Sequence, residues 1–123
     1  MKKILIVDDS ATMRKIITRV LRQANLEVET ILEAANGIEG LERIVSDPDI
    51  QMILSDINMP EMNGIDFVKA LRVNHDKESM PVVMITTEGG EAMVETAIEA
   101  GANDYVTKPF TPDSIREALE KYA

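Results

Sequence analysis

Acidic, hydroxyl and cationic residues stand at the ends of short apolar runs along this chain. Asp8 and Asp9 follow Ile4-Leu5-Ile6-Val7, and Asp56 follows Met52-Ile53-Leu54-Ser55. Thr86 and Thr87 close the run from Val82 to Ile85, and Lys108 follows Tyr105-Val106-Thr107. Two ionised carboxylates about 4 Å apart repel by roughly 4 kcal/mol at an effective dielectric of about 20. Three clustered acids therefore require a raised pKa, a cation, or both. Oxygen ligands without nearby His or Cys suit a hard ion, and Mg²⁺ accepts a few carboxylates while water completes its octahedron. Lys108 cannot ligate a metal, but it can pair with Asp56 or with an anion bound there. A carboxylate beside a divalent ion, a hydroxyl and an ammonium group is equipped to attack phosphorus and form an aspartyl-phosphate. The metal and Lys108 would neutralise the charge that builds on the phosphoryl oxygens.

Taken singly, each residue has an ordinary structural role. Asp-Asp-Ser before a helix caps it, Asp56 makes a turn, Thr86 ends a strand and Lys108 is a solvated surface charge. Their chemistry rests on all of them sharing one edge of one sheet.

The apolar pattern says which elements put them there. Ile4 to Val7 reads as a strand buried on both faces, followed by a helix with Met13, Ile16, Ile17, Val20 and Leu21 at core-stripe spacing. A second strand is expected near Thr30 to Glu33, and its end carries nothing comparable to the other four. Asn36-Gly37 starts a helix carrying Ile38, Leu41, Ile44 and Val45, which Asp47-Pro48 ends. Met52 to Leu54 is the third strand, and the loop from Ile57 to Gly64 leads to a helix with Ile65, Val68 and Leu71. Pro81 opens the fourth strand, and Glu88-Gly89-Gly90 is expected to be a flexible loop that is cheap to move. The next helix places Met93, Val94, Ala97 and Ile98 at the spacing of a buried stripe, with Gly101 as its C′ residue. Tyr105-Val106 marks the fifth strand, Lys108-Pro109-Phe110 a turn, and Thr111-Pro112-Asp113 the capped start of a last helix carrying Ile115, Leu119 and Tyr122. Five strand–helix units imply parallel strands covered on both faces, and they are too few for an eight-fold barrel. The expected fold is an open, doubly wound α/β sheet in one domain spanning 1–123. In such sheets ligands bind beyond the carboxyl ends of the strands, beside the switch in strand order.

Composition narrows the partners. Thirteen Lys and Arg against 22 Asp and Glu give a net charge of −9, which disfavours nucleic acid and anionic membrane surfaces. No cysteine is present, which removes disulfides and thiolate chemistry and suits a reducing cytoplasm. The apolar runs are too short to span a bilayer, and Met1-Lys2-Lys3 does not lead a signal peptide because the stretch behind it stops at Asp8-Asp9. His75, the sole histidine, is expected to be exposed and inert.

These motifs in this order resemble those of response-regulator receiver domains, over essentially the whole chain. They are Asp8-Asp9, Asp56 followed by Met59-Pro60 and Gly64, Thr86, Tyr105, and Lys108-Pro109. The resemblance implies a flavodoxin-like (βα)5 fold with strand order 2-1-3-4-5. It implies that Asp56 accepts phosphate from a histidine kinase, and that Asp8, Asp9, the Asp56 carboxylate and the Asn58 backbone carbonyl hold Mg²⁺. Thr86 and Lys108 would contact the phosphoryl group, and Thr86 and Tyr105 would switch the face made by the fourth helix, fifth strand and fifth helix. The Lys108-Pro109 bond would be cis, and Asn58 and Glu88 would tune a fairly short phosphate lifetime. Asn63-Gly64 stands where Asp-Gly is common, both tolerating a left-handed turn. Thr87 is bulkier than the small residue usual after the switch hydroxyl, and Glu91 stands where chemotaxis regulators often carry a base.

Only one helix follows Lys108, so the expectation is a stand-alone, monomeric signalling receiver with no output domain. Its target would be another protein, a flagellar motor switch or a histidine phosphotransfer protein. A small Mg²⁺-dependent phosphatase is disfavoured because Asn58, not an acid, stands two residues past Asp56. A flavin module of the same fold is disfavoured because Asp8-Asp9 would repel the cofactor's phosphate.

Overall fold

The computed structural model describes residues 3–87 and 91–122, the side chains of Thr87 and Glu91 excepted. Five strands, β1 (Lys3–Val7), β2 (Thr30–Ala34), β3 (Met52–Asp56), β4 (Val82–Thr87) and β5 (Asp104–Lys108), alternate with five helices. The helices are α1 (Ala11–Gln23), α2 (Gly37–Ser46), α3 (Gly64–Leu71), α4 (Glu91–Ala100) and α5 (Pro112–Glu120). All four strand pairings are parallel and the sheet runs β2-β1-β3-β4-β5. This is the doubly wound sheet the strand–helix pattern predicts, in the (βα)5 order that the receiver-domain resemblance implies, with its switch point between β1 and β3.

Alternation along the buried strands splits the core in two. Leu5, Val7, Ile53, Val82 and Met84 face α2, α3 and α4, where Ile44, Phe67, Val68, Leu71 and Ala97 meet them. Ile4, Ile6, Leu54, Val83, Ile85 and Val106 point to the other side, against Ile17, Leu21, Ile115 and Leu119 of α1 and α5. Continuous apolar runs are what strands covered on both faces require.

The helix ends follow local chemistry. Ser10 Oγ accepts from Met13 N at 3.1 Å, Asn36 Oδ1 from Glu39 N at 2.9 Å, and Asn63 Oδ1 from Asp66 N at 2.9 Å. Thr111 and Ser114 form a reciprocal capping box at α5, behind Pro112 at the first helical position. Gly101 ends α4 with φ +121°, and Ala102 N donates to Ala97 O at 3.0 Å.

The helical stripes are narrower than the spacing suggested. Ile16, Ile38, Val45, Met93 and Ile98 are exposed, Val45 by 83%, whereas Ile17, Ile44, Val94 and Ala97 are buried. In α4 the expected buried stripe shrinks to Val94 and Ala97, because a helix lying on one face of a sheet covers only its central row and leaves the flanks to water. His75, expected to be exposed, is half-buried. The expected loop Glu88-Gly89-Gly90 lies outside the described residues.

Arg72, just past α3, joins the far end of the sheet. Its Nε donates to Gly101 O at 2.9 Å, and Nη1 donates to His75 O, Asp76 O and Met80 O at 3.2, 3.0 and 2.9 Å. Nη2 donates to Asn103 Oδ1 at 2.9 Å, which also accepts from Val82 N at 3.0 Å.

Candidate functional site

The strands beside the switch point deliver the acids. Asp8 and Asp9 lie just past β1, and Asp56 ends β3, which pairs directly with β1. One carboxylate oxygen from each lies within 4.8 Å of the others. Asp8 is buried, with 1% of its surface exposed, Asp56 is half-buried and Asp9 is exposed.

Main-chain groups fix two of the carboxylates. Asp8 Oδ1 accepts from Ser10 N at 2.9 Å, and Asp56 Oδ1 accepts from Ile57 N at 2.8 Å. Asp8 Oδ2 is buried and has no hydrogen-bond partner among the described residues. A buried carboxylate oxygen left without a donor costs free energy unless a proton or cation meets it. Burial is the main force raising the Asp56 carboxyl above its ordinary range, and the charge of Asp8 adds to it. Burial also raises Asp8, against the Ser10 N–H and the Lys108 charge, which pull it down. The donor set, all carboxylate with one orphaned oxygen, fits a hard divalent cation such as Mg²⁺.

The remaining expected residues distribute around this cluster. Thr86 sits one residue before the end of β4, 7% exposed, in register with Thr107. Lys108 ends β5 in register with Thr87; it is half-buried and forms no direct ion pair among the described residues, although its charge reaches both Asp8 and Asp56. The Lys108–Pro109 peptide bond is cis. Tyr105 is on the same strand but turned to solvent, 45% exposed. Asn58 is exposed in the β3–α3 loop, and Glu88 lies outside the described residues. An apolar hollow of about 330 Å³, lined by Met13, Ile16, Pro109 and Phe110, adjoins Lys108.

Two features of the loop after Asp56 differ from expectation. The left-handed residue is Glu61, with φ 64°, whereas Asn63 has φ −74° and caps α3. Gly64 is required by crowding: a Cβ there would stand 2.2 Å from the Asp56 carbonyl oxygen. Its N–H donates to Ile57 O at 2.7 Å, so α3 starts directly against the acceptor strand.

Residue patterns alone miss Arg14 and Glu33. Arg14 Nη1 donates to Asp8 O at 2.6 Å and Nε to Glu33 Oε1 at 2.8 Å, so β2, whose end had seemed chemically silent, reaches the cluster through a side chain. The available signal was the placement of β2 beside β1, which puts Glu33 in register with Ile6, two residues before Asp8.

Comparison with known proteins agrees with this geometry. The family model for the response regulator receiver domain matches residues 4–120. The chain is 48% identical over 118 residues to chemotaxis protein CheY1 of Helicobacter pylori strain J99, covering 96% of this chain and 94% of that one. It is 47% identical over 118 residues to the chemotaxis protein CheY homolog of Campylobacter jejuni strain 81-176, covering 96% and 89%. Among solved structures, chemotaxis protein CheY4 of Vibrio cholerae superposes with a TM-score of 0.83 at 36% identity, over 100% of this chain and 99% of that one. With a matched family model over nearly its whole length, this chain belongs to the response regulator receiver domain family.

Proposed function

We propose that the chain works as a phosphoacceptor of a two-component pathway, in which Asp56 takes a phosphoryl group from a histidine kinase. The observation that carries this reading is the carboxylate trio at the switch point, with Asp8 Oδ2 buried and unpartnered among the described residues. An Asp56 oxygen attacks phosphorus, the bond between phosphorus and the kinase imidazole nitrogen breaks, and the imidazole takes up a proton. Asp8, Asp9, the Asp56 carboxylate and the Asn58 carbonyl would hold Mg²⁺, which when bound neutralises phosphoryl charge. Thr86 and Lys108 contact the phosphoryl oxygens from β4 and β5, as a hydroxyl donor and a point charge. Phosphorylation adds about −1.5 to −2 charges and three acceptor oxygens beside them. Thr86 then draws inward and the solvent-facing Tyr105 follows, altering the face of α4, β5 and α5 that a target reads. Asn58 and Glu88 tune how long the phosphate lasts.

The named relatives are chemotaxis proteins, which favours a chemotaxis setting for this chain; the target proposed there is a flagellar motor switch protein. Glu91 at the head of α4 and the net charge of −9 leave a histidine phosphotransfer protein as the alternative partner. No helix among the described residues is long and apolar enough to cross a membrane.

The test is intact mass after incubation with acetyl phosphate, with Mg²⁺ and then with EDTA. A single phosphate adduct that needs Mg²⁺ and is lost in Asp56→Asn is expected. A folded protein that gains no adduct, sampled fast enough to outrun hydrolysis, overturns the reading.

A further inference from the structure

Asp8 is held on three sides: one hold comes directly from β2, and a second comes from Arg14 of α1, which is itself tied to β2. Its N–H donates to Ala34 O at 3.1 Å. Its carbonyl accepts the 2.6 Å bond from Arg14 Nη1, and the same guanidinium is fixed by Nε to Glu33 Oε1 at 2.8 Å. Its Oδ1 accepts from Ser10 N, which leaves Oδ2 as the free corner of the residue. A guanidinium serves two partners in divergent directions from one rigid plane. It therefore converts the position of a β2 side chain into the position of the Asp8 main chain.

This arrangement has an electrostatic side. Arg14 is largely covered, with 17% of its side chain exposed, and it places a positive charge near a cluster that is to receive a cation. That charge opposes cation binding unless something cancels it. Glu33, half-exposed, does so from the outer strand. Orientation and charge balance thus act with the same sign at Glu33: losing its carboxylate both loosens Arg14 and leaves its charge uncompensated.

Resting on the receiver reading above, we infer that Glu33 and Arg14 form a positioning pair that sets the affinity of the Asp8-Asp9-Asp56 cluster for its divalent cation. Neither residue touches the cation, and both act through Asp8. Supporting shells of this kind fix the aim of metal ligands.

The test is a double-mutant cycle on the full chain, with Mg²⁺ itself as the probe in titration calorimetry. Glu33→Gln should weaken Mg²⁺ about three-fold, within the range of a partly exposed ion pair, and leave the melting temperature in EDTA nearly unchanged. In an Arg14→Gln background the same Glu33 change should have no effect on Mg²⁺, because the relay is already broken. Should Arg14→Gln fail to fold, Arg14→Met takes its place with the same expected loss of coupling, since it too lacks both the divergent fork and the charge. An unchanged affinity in Glu33→Gln, or an equal loss in both backgrounds, overturns the inference. If wild type then still takes phosphate from acetyl phosphate, the receiver reading survives that failure; a wild type that binds no Mg²⁺ brings down both.

Discussion

Replacing Asp56 by Asn removes one negative charge from three carboxylates whose oxygens lie within 4.8 Å of one another, at almost no steric cost. In EDTA the variant should therefore melt higher than wild type, by about 4 °C if the relieved repulsion is about 1 kcal/mol. The pH dependence of that gain has a definite sign. Burial, with Asp8 adding its charge, raises the folded-state Asp56 carboxyl above its ordinary value of 3.8, and burial raises Asp8 as well. A raised carboxyl holds its proton more tightly in the folded protein than in the unfolded chain. The associated penalty is absent below the ordinary value, grows as pH rises between the unfolded and folded values, and is complete above the folded one. The melting advantage of Asp56→Asn should accordingly be smallest in acid and widen toward neutrality. A difference that is constant or narrows with pH, in calorimetric scans of the two proteins, contradicts this account. With saturating Mg²⁺ the order should reverse, since the cation stabilises the wild-type fold by mass action.

At the scale of the element, the β3–α3 junction is the tightest place in the site. A Cβ on Gly64 would meet the Asp56 carbonyl at 2.2 Å and the Ile57 Cα at 2.9 Å, both main-chain atoms that cannot swing aside. Gly64→Ala should cost about 3 kcal/mol in denaturant titrations, the upper range for overpacking, and weaken Mg²⁺ by displacing Asp56. Gly37→Ala offers the contrast. Its Cβ meets the Met62 side chain at 2.6 Å, a flexible neighbour, so a smaller loss with Mg²⁺ affinity retained is expected. Equal losses at both positions would contradict the distinction between main-chain and side-chain crowding. The strand ends were readable from the sequence because an acid stopping an apolar run is a local signal, and Asp8, Asp9 and Asp56 each carry it. The caps at Ser10 and Thr111 were readable for the same reason. Gly64 was read as a turn former because its crowding depends on how closely α3 approaches β3, a tertiary distance that no local pattern records. Ile16, Met93 and Ile98 satisfied a helical period yet lie in water, since periodicity reports which row faces inward and not how wide a row the sheet can cover. The tie from Glu33 through Arg14 to Asp8 crosses three elements, and it became visible only once β2 was placed beside β1.

For the molecule as a whole, the sheet separates two apolar layers that share backbone but few side chains. All the candidate chemistry lies on the rim at the strands' carboxyl ends, while the opposite rim is held by a polar fastening around Arg72. That single guanidinium gathers carbonyls from the chain at 75–80 and at 101, and shares the Asn103 amide oxygen with the start of β4. Asn103 adds its own bond to the Lys77 carbonyl at 3.0 Å, and its N–H returns to Val82 O at 2.8 Å. Segments some 25 residues apart in sequence are thereby tied together, and they are expected to open as one cooperative unit rather than fray independently. Native-state hydrogen exchange gives this an observable form: the amides of Met80, Val82, Ala102 and Asn103 should open with one common free energy. In Arg72→Ala that shared value should split into separate, lower ones, and protection that stays uniform in the variant would mean the fastening lies elsewhere.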